Sequence, residues 1–303
     1  MPSAASNKAE GAAAMQRDPS FYQRRDVGAS ISTGFHYIRT HGAALYRPLL
    51  FMTMPLVMVG SLLLGSFFHA VGPGRQQASA SPWLMVGGYV LLACAYILSS
   101  VIICEFMRWT MLNGGRAPSM GPLWKEVRRR FWAYLGISLL TGMMMAVGFV
   151  LFVLPLIFLF VTFPFSYPLH AFERASVGDC IGRAFSLVLG RWWLTFGLLV
   201  LLFGMSLLLN GAIDVPIWML TTFASLSGVD WTEDPDGSST RFRLFMTLLS
   251  LVSNTTYLII APFVQVPMAF HMLATTEAKE SPGLLEEVRR LDLSLPDQPT
   301  TRA

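Results

Sequence analysis

Long apolar runs separated by short polar ones set the pattern of this chain. Runs of spanning length lie at about 49–70, 83–104, 131–154, 156–172, 192–213 and 243–272. A helix needs about 20 such residues to cross a hydrocarbon core of about 30 Å. No Lys, Arg, Asp or Glu occurs between 131 and 172. As one helix that stretch would be about 63 Å long, twice the core. It therefore reads as two helices turning at Leu154-Pro155, because proline breaks a helix interior. Residues 243–272 are long for one span, so tilt, kinks at Pro262 and Pro267, or a protruding end must absorb the excess. Residues 1–25 read as a disordered tail, 26–272 as the membrane domain and 273–303 as a second tail.

Composition agrees with the pattern. Hydrophobic residues make up 53% and charged residues 13%, against roughly 25% charged in soluble domains. Mean hydropathy is +0.53. A soluble enzyme, a nucleic-acid binder and a disordered scaffold are excluded as descriptions of the whole chain. The first long apolar run follows Arg47-Pro48, too late for a secretory signal peptide.

Charge placement orients the spans. Of the 22 Lys and Arg, all but Arg75, Arg241 and Arg243 fall in the N-terminal segment, 105–130, 173–191 or the C-terminal tail. These alternate segments face one side, and basic loops stay cytoplasmic. The expectation is a multi-pass protein of a bacterial inner membrane, with six transmembrane helices and both termini in the cytoplasm. Between 214 and 240 only acids occur. The apolar stretch Asp214 to Leu226, with Pro216 and Trp218, reads either as a short interfacial or re-entrant helix or as a loop on the bilayer.

A repeat lies inside the chain. Val27-Gly28-x-x-Ile31-x-x-x-Phe35-x-x-Ile38 recurs as Val177-Gly178-x-x-Ile181-x-x-x-Phe185-x-x-Val188. Apolar positions at this spacing make one face of an amphipathic helix. Asp26 and Ser176 are the expected N-caps. A weaker third copy starts at Ser119 and includes Leu123, Val127 and Phe131. Each copy precedes two spans, giving parallel units of roughly 26–107, 119–172 and 176–272. The second and third units also end alike, in Pro164-Phe165-x-x-Pro168 and Pro262-Phe263-x-x-x-Pro267.

Arg25-Asp26-Val27-Gly28, leading to Phe35-x-x-Ile38-Arg39, resembles the opening segment of multi-span proteins of Bacteroidota. Leu154-Pro155…Pro168-Leu169-x-x-Phe172-Glu173-x-x-Ser176-Val177-x-x-Cys180-x-x-Arg183-Ala184-Phe185-x-Leu187-x-x-Gly190-x-Trp192 is similar to the membrane domain associated with bacterial glycerophosphoryl diester phosphodiesterases. The resemblance implies that membrane fold for 26–272. It implies no phosphodiesterase activity, because the catalytic barrel has no counterpart in this sequence.

Motifs for chemistry are missing. HExxH, Walker A, GxSxG and paired CxxC do not occur, so neither catalytic residue, metal ligand nor cofactor is assigned. Cys94, Cys104 and Cys180 read as packing thiols. His170, His271, Glu105 and Glu173 gather near one membrane face, where polar helix ends account for them. No charge falls in the middle of a span, where ion-coupled transporters keep one for use. The central polar groups are neutral. Asn210 and the run Ser253, Asn254, Thr255, Thr256 either line a neutral path or bond between helices. Ser61-x-x-x-Gly65 and Ala95-x-x-x-Ser99 permit close helix approach. Basic amphipathic stretches attract anionic lipid. Arg128, Arg129, Arg130, Arg183 and Arg191 thus form a candidate surface for lipid or a partner, with topology determination as the other use of the Arg128–Arg130 run. The expected function is a non-enzymatic scaffold or accessory subunit contacting membrane lipids and another membrane or cytoplasmic protein, with no nucleic acid. The alternative is a permease or lipid-handling protein with a neutral path.

Overall fold

The computed structural model describes residues 23–70, 81–151, 153–226 and 240–281. The tail expected at 1–25 lies outside these residues except for its last three, as do the tail residues 282–303. Eight α-helices occur among the described residues: α1 (Val27–Ala70), α2 (Pro82–Leu112), α3 (Met120–Leu151), α4 (Val153–Thr162), α5 (Ser166–Glu173), α6 (Val177–Leu189), α7 (Trp192–Leu226) and α8 (Thr240–Glu280). A 3-10 turn, Phe163–Phe165, joins α4 to α5. Six stretches are long and apolar enough to cross a membrane, one of them comprising α4, the 3-10 turn and α5.

Helix starts follow local chemistry. The Asp26 carboxylate accepts the Ala29 N–H at 2.7 Å, and the Ser176 hydroxyl accepts the Asp179 N–H at 3.3 Å. Each satisfies a donor that the first helical turn leaves free. Pro82 opens α2, where its missing N–H costs nothing. Past α2 the chain reverses through Gly114 and Gly115, at φ 58° and 80°, a region that glycine enters without strain.

Several boundaries differ from expectation. The segment 27–41 is not a separate surface helix but the first part of α1, which continues through Pro48 and Pro55. Packing holds it straight enough to continue. At Gly34 a Cβ would lie 2.6 Å from Pro267 Cγ, so α1 and α8 touch there. The third copy is likewise fused with its span as α3. Only α6 is separate, broken from α7 at Gly190-Arg191. Residues 214–226 form neither a re-entrant helix nor a loop; they extend α7. Asp214 accepts the Ser253 hydroxyl at 2.7 Å, and Val215, Trp218, Met219 and Phe223 stay on the exposed side. The C-terminal tail does not begin at 273. Leu273 through Glu277 are buried as α8 runs on to Glu280. The span expected at 156–172 bends through the 3-10 turn, where Pro164 and Pro168 interrupt the helical ladder.

The core is built on α8, which packs along α1 and touches α2, α5, α6 and α7. Gly60 and Gly88 let α1 and α2 cross closely: a Cβ at either would lie 3.2 Å or less from the other's carbonyl oxygen. Gly65 meets the Thr247 backbone in the same way, so the Ser61–Gly65 pair marks a true close approach. The main apolar cluster gathers Leu45, Phe106, Met107, Val127, Phe165, Leu187 and Phe270. Trp83, Trp132, Trp193 and Trp218 are exposed near span ends, where indoles favour the headgroup level.

Candidate functional site

The first and last described residues lie together. Arg24 reaches the Ser281 hydroxyl at 3.5 Å, and the Arg25 guanidinium lies over the Phe270 ring at 5.4 Å. Around this end most of the charged groups named from sequence fall into two clusters.

The first joins α2, α3 and α5. Arg130 Nε donates to Glu126 at 3.0 Å and lies 3.6 Å from Glu105. Arg108 approaches the other Glu105 oxygen at 3.7 Å. Glu126 also accepts from Arg129 at 2.8 Å and from Arg174 at 2.9 Å. Arg174 reaches it because the residue caps α5 in the left-handed region, φ 59°. Glu105 is 2% exposed and makes no hydrogen bond through either oxygen. His170 Nδ1 is 2.9 Å from the Ala175 carbonyl, which makes Nδ1 the protonated nitrogen. Its Nε2 then accepts from Arg130 Nη1 at 3.4 Å. Tyr134 stands edge-on to His170 at 5.1 Å with its hydroxyl buried and unpartnered.

The second cluster clamps α6. Arg183 donates through Nε and Nη2 to Glu173 and through Nη1 and Nη2 to Glu280, the latter at 2.8 and 2.6 Å. Hydrogen bonds to Glu280 and Glu173 raise the pKa of this guanidinium further above its already high ordinary value. Lys279 donates to the Ser186 carbonyl near the end of α6. Cys180, on the inner face of α6, is fully buried, and burial pushes its thiol up to about 11. It is a packing thiol in its contacts, with a weak donation to the Ala175 carbonyl at 3.5 Å.

Of the predicted surface, then, Arg129, Arg130 and Arg183 are tied to carboxylates, Arg128 is exposed without a partner among the described residues, and Arg191 lies at the α6–α7 corner. Glu105 and His170 meet at Arg130, whereas Glu173 belongs to the other cluster. His271 is apart from both, 3.2 Å from the Thr195 hydroxyl. Glu126, Arg108, Arg174 and Tyr134 were not singled out from sequence; the Glu126 to Arg130 spacing of four on one helix is the signal that marks the first of them.

The neutral groups Asn210, Ser253, Asn254 and Thr255 are spread over separate helix contacts. Asn254 is a tie between helices: it accepts the Tyr96 hydroxyl at 3.1 Å and lies 3.4 Å from Ser61, joining α8 to α2 and α1. Ser253 bonds to Asp214 on α7. Thr255 points to Met54 at 3.9 Å. Asn210 donates to the Ser206 carbonyl within its own helix at 2.8 Å. These groups serve three different helix contacts, because consecutive residues of a helix point 100° apart.

A separate cavity of about 290 Å³ lies among α2, α3, the 3-10 turn, α7 and α8. Ile137, Met145, Phe160, Phe163, Leu199 and Met268 make it apolar. Gln265 also lines it; its amide nitrogen donates to Ser100 at 2.9 Å and its carbonyl oxygen is buried without a partner.

Comparison of the chain with protein-family models, curated proteins and solved structures finds no match. Fold and site together define a class: an all-α, multi-span membrane protein, with six stretches among the described residues long and apolar enough to span. Among the described residues no group of His, Cys, Asp and Glu is arranged to hold a metal ion.

Proposed function

We propose that this protein is a non-enzymatic scaffold or accessory subunit of a bacterial inner membrane, with both termini and the charged clusters on the cytoplasmic side. The observation that carries the reading is the division of charge at that end. Glu126 and Arg183 each tie several partners into a fixed layer, while Arg39, Arg47, Arg116, Lys125 and Arg128 stay exposed without a partner among the described residues. A rigid layer with unneutralised basic groups suits an acidic protein surface and anionic lipid. Three parallel units of leading helix plus two spans underlie that layer.

Photo-crosslinking from position 128 in living cells tests the reading. A discrete adduct with another protein, lost when Lys125 and Arg128 are both replaced by Glu, is the expected result. Crosslinks to lipid alone would sink the scaffold reading and favour the alternative, a lipid-handling protein. The cavity beside Gln265 supports that alternative, since an apolar space with one free acceptor suits an acyl chain bearing a donor.

A further inference from the structure

Arg191 differs from the other basic groups in what surrounds it. It lines a groove of about 710 Å³ at the α6–α7 corner, walled by Ile157, Phe158, Leu189, Leu194 and Phe196. Its side chain makes no hydrogen bond or ion pair among the described residues. Trp192 lines the same groove, and its indole N–H is buried without a partner. That ring is fixed by stacking on Phe196 at 5.1 Å and on Phe158 at 6.3 Å. Trp193 beside it is 77% exposed, as an indole at the headgroup level is. The first backbone N–H groups of α7 begin here, and such groups lack helical acceptors. Lys279 adds a second cation, its Nζ 3.6 Å from where a Cβ on Gly190 would be. No acidic residue lines the groove, and Glu173 and Glu280 are already held by Arg183.

We propose that this groove binds an anionic phospholipid from the leaflet on the side of the two charged clusters. The Arg191 guanidinium holds the phosphate, and one acyl chain lies against Ile157, Phe158, Leu194 and Phe196. Charge selects the occupant: a guanidinium and a helix start both favour an anion, and the walls favour a hydrocarbon. The proposal deepens the lipid-contacting half of the preceding section and requires no protein partner, so a failed crosslink leaves it standing.

Native mass spectrometry of the purified full chain, exchanged with palmitoyl-oleoyl phosphatidylglycerol or the phosphatidylcholine of the same chains, tests it. The wild-type chain should retain phosphatidylglycerol in preference. Arg191→Gln should cut that preference roughly fivefold or more, since one basic group near a lipid surface carries about that factor. Arg191→Lys, which keeps the charge, should retain part of the preference. Arg174→Gln, which removes the same charge from a guanidinium already held by Glu126, should leave it unchanged. Equal retention of both lipids by the wild-type chain would overturn the site. So would an equal loss from Arg174→Gln and Arg191→Gln, because overall charge would then account for the binding.

Discussion

Replacing Gly34 probes the α1–α8 contact on which the whole basic end rests. A Cβ there would lie 2.6 Å from Pro267 Cγ, 2.9 Å from Pro267 Cα and 3.0 Å from its Cβ. Carbon atoms in ordinary contact sit at about 3.5–4.0 Å, so α1 must retreat by several tenths of an ångström from a ring and a backbone that cannot swing aside. Overpacking of this kind costs about 1–3 kcal/mol. Alanine returns up to about 1 kcal/mol of helix propensity over glycine. The net for Gly34→Ala is a loss of about 1 kcal/mol, and Gly34→Val, bulkier and a poorer helix former, should lose more. Gly178 opens α6 with nothing within 4 Å of its added Cβ. Gly178→Ala should therefore stabilise by about 0.5–1 kcal/mol. Thermal unfolding in mild detergent, followed by loss of the monodisperse gel-filtration peak, would separate the two by several degrees at about 2–4 °C per kcal/mol. A Gly34→Ala protein that melts above wild type would refute the contact and the continuous path of α1 along α8.

Arg183→Ala should destabilise by about 1–2 kcal/mol, since Glu173 and Glu280 lose a donor that binds both through several nitrogens, and Arg183→Lys should recover only part because an ammonium lacks the fork; chemical denaturation in detergent reads this. In a variant keeping Cys180 alone, maleimide at pH 8 should leave the folded protein unmodified, because a thiol raised to about 11 stays protonated below that pH and is buried; rapid labelling without denaturant would contradict the packing of α6. Reporter fusions at Asn113, at Gly178 and after Ala303 should read cytoplasmic and those at Gln76 and Ser238, outside the described residues, should read external, so a cytoplasmic signal at Ser238 would remove the proposed orientation.

How far the fold was legible in sequence depended on the range of the interaction. Both N-caps were readable because a cap and its N–H are three residues apart. The absence of charge from 131 to 172 showed that two helices share the stretch, because membrane thickness limits any one helix. The turn expected at Leu154-Pro155 is displaced, however: both residues lie in the first turn of α4, and α3 already ends at Leu151. Helix ends that depend on distant packing were not readable. Pro48 and Pro262 look like breaks, yet α1 and α8 pass through them because each helix is held along its length by the other. Residues 214–226 carry an acid and a proline, which suggest a loop, but Ser253 supplies a partner for Asp214 from another helix. Arg183 and Glu280 are 97 residues apart, so a basic residue counted as free surface turned out to be neutralised. Asn254 was flagged for either a path or a helix tie, and only its contacts with Ser61 and Tyr96 choose between them.

The repeat yields the most consequential prediction, because the structure adds a pattern of contacts that spacing alone did not contain. Along the copies that start at Val27 and Val177, burial runs in step. Ser30 and Cys180, Gly34 and Ala184, Tyr37 and Leu187, and Ile38 and Val188 are buried, whereas Gly28 and Gly178, and His36 and Ser186, are exposed. Phe35 packs on Phe263 at 5.8 Å, and Phe185 packs on Phe158 at 5.6 Å and Phe163 at 6.4 Å. The first unit's leading helix thus rests on the last span of the third, and the third unit's on the last span of the second. Arg130 and Glu105 place the second unit's leading segment on the last span of the first, which would close a cycle. If the three units are equivalent, Phe35→Asp and Phe185→Asp should loosen their helices alike. Full burial of a phenylalanine is worth about 1.5–3 kcal/mol, and both rings are only part-buried, so about 1–2 kcal/mol is the expected loss from each. His36→Asp and Ser186→Asp, at matched exposed positions, are the controls; Arg183 is unsuitable because an acid there would face Glu173 and Glu280. Trypsin cleavage at Arg39 and Arg183 in membranes of defined orientation measures the loosening. Comparable acceleration at both sites in the Phe variants, with none in the controls, supports a cycle of three units. Acceleration at one site alone would mean that the two helices bear different loads, and the matching burial would then reflect helical periodicity on a shared surface and no common ancestry.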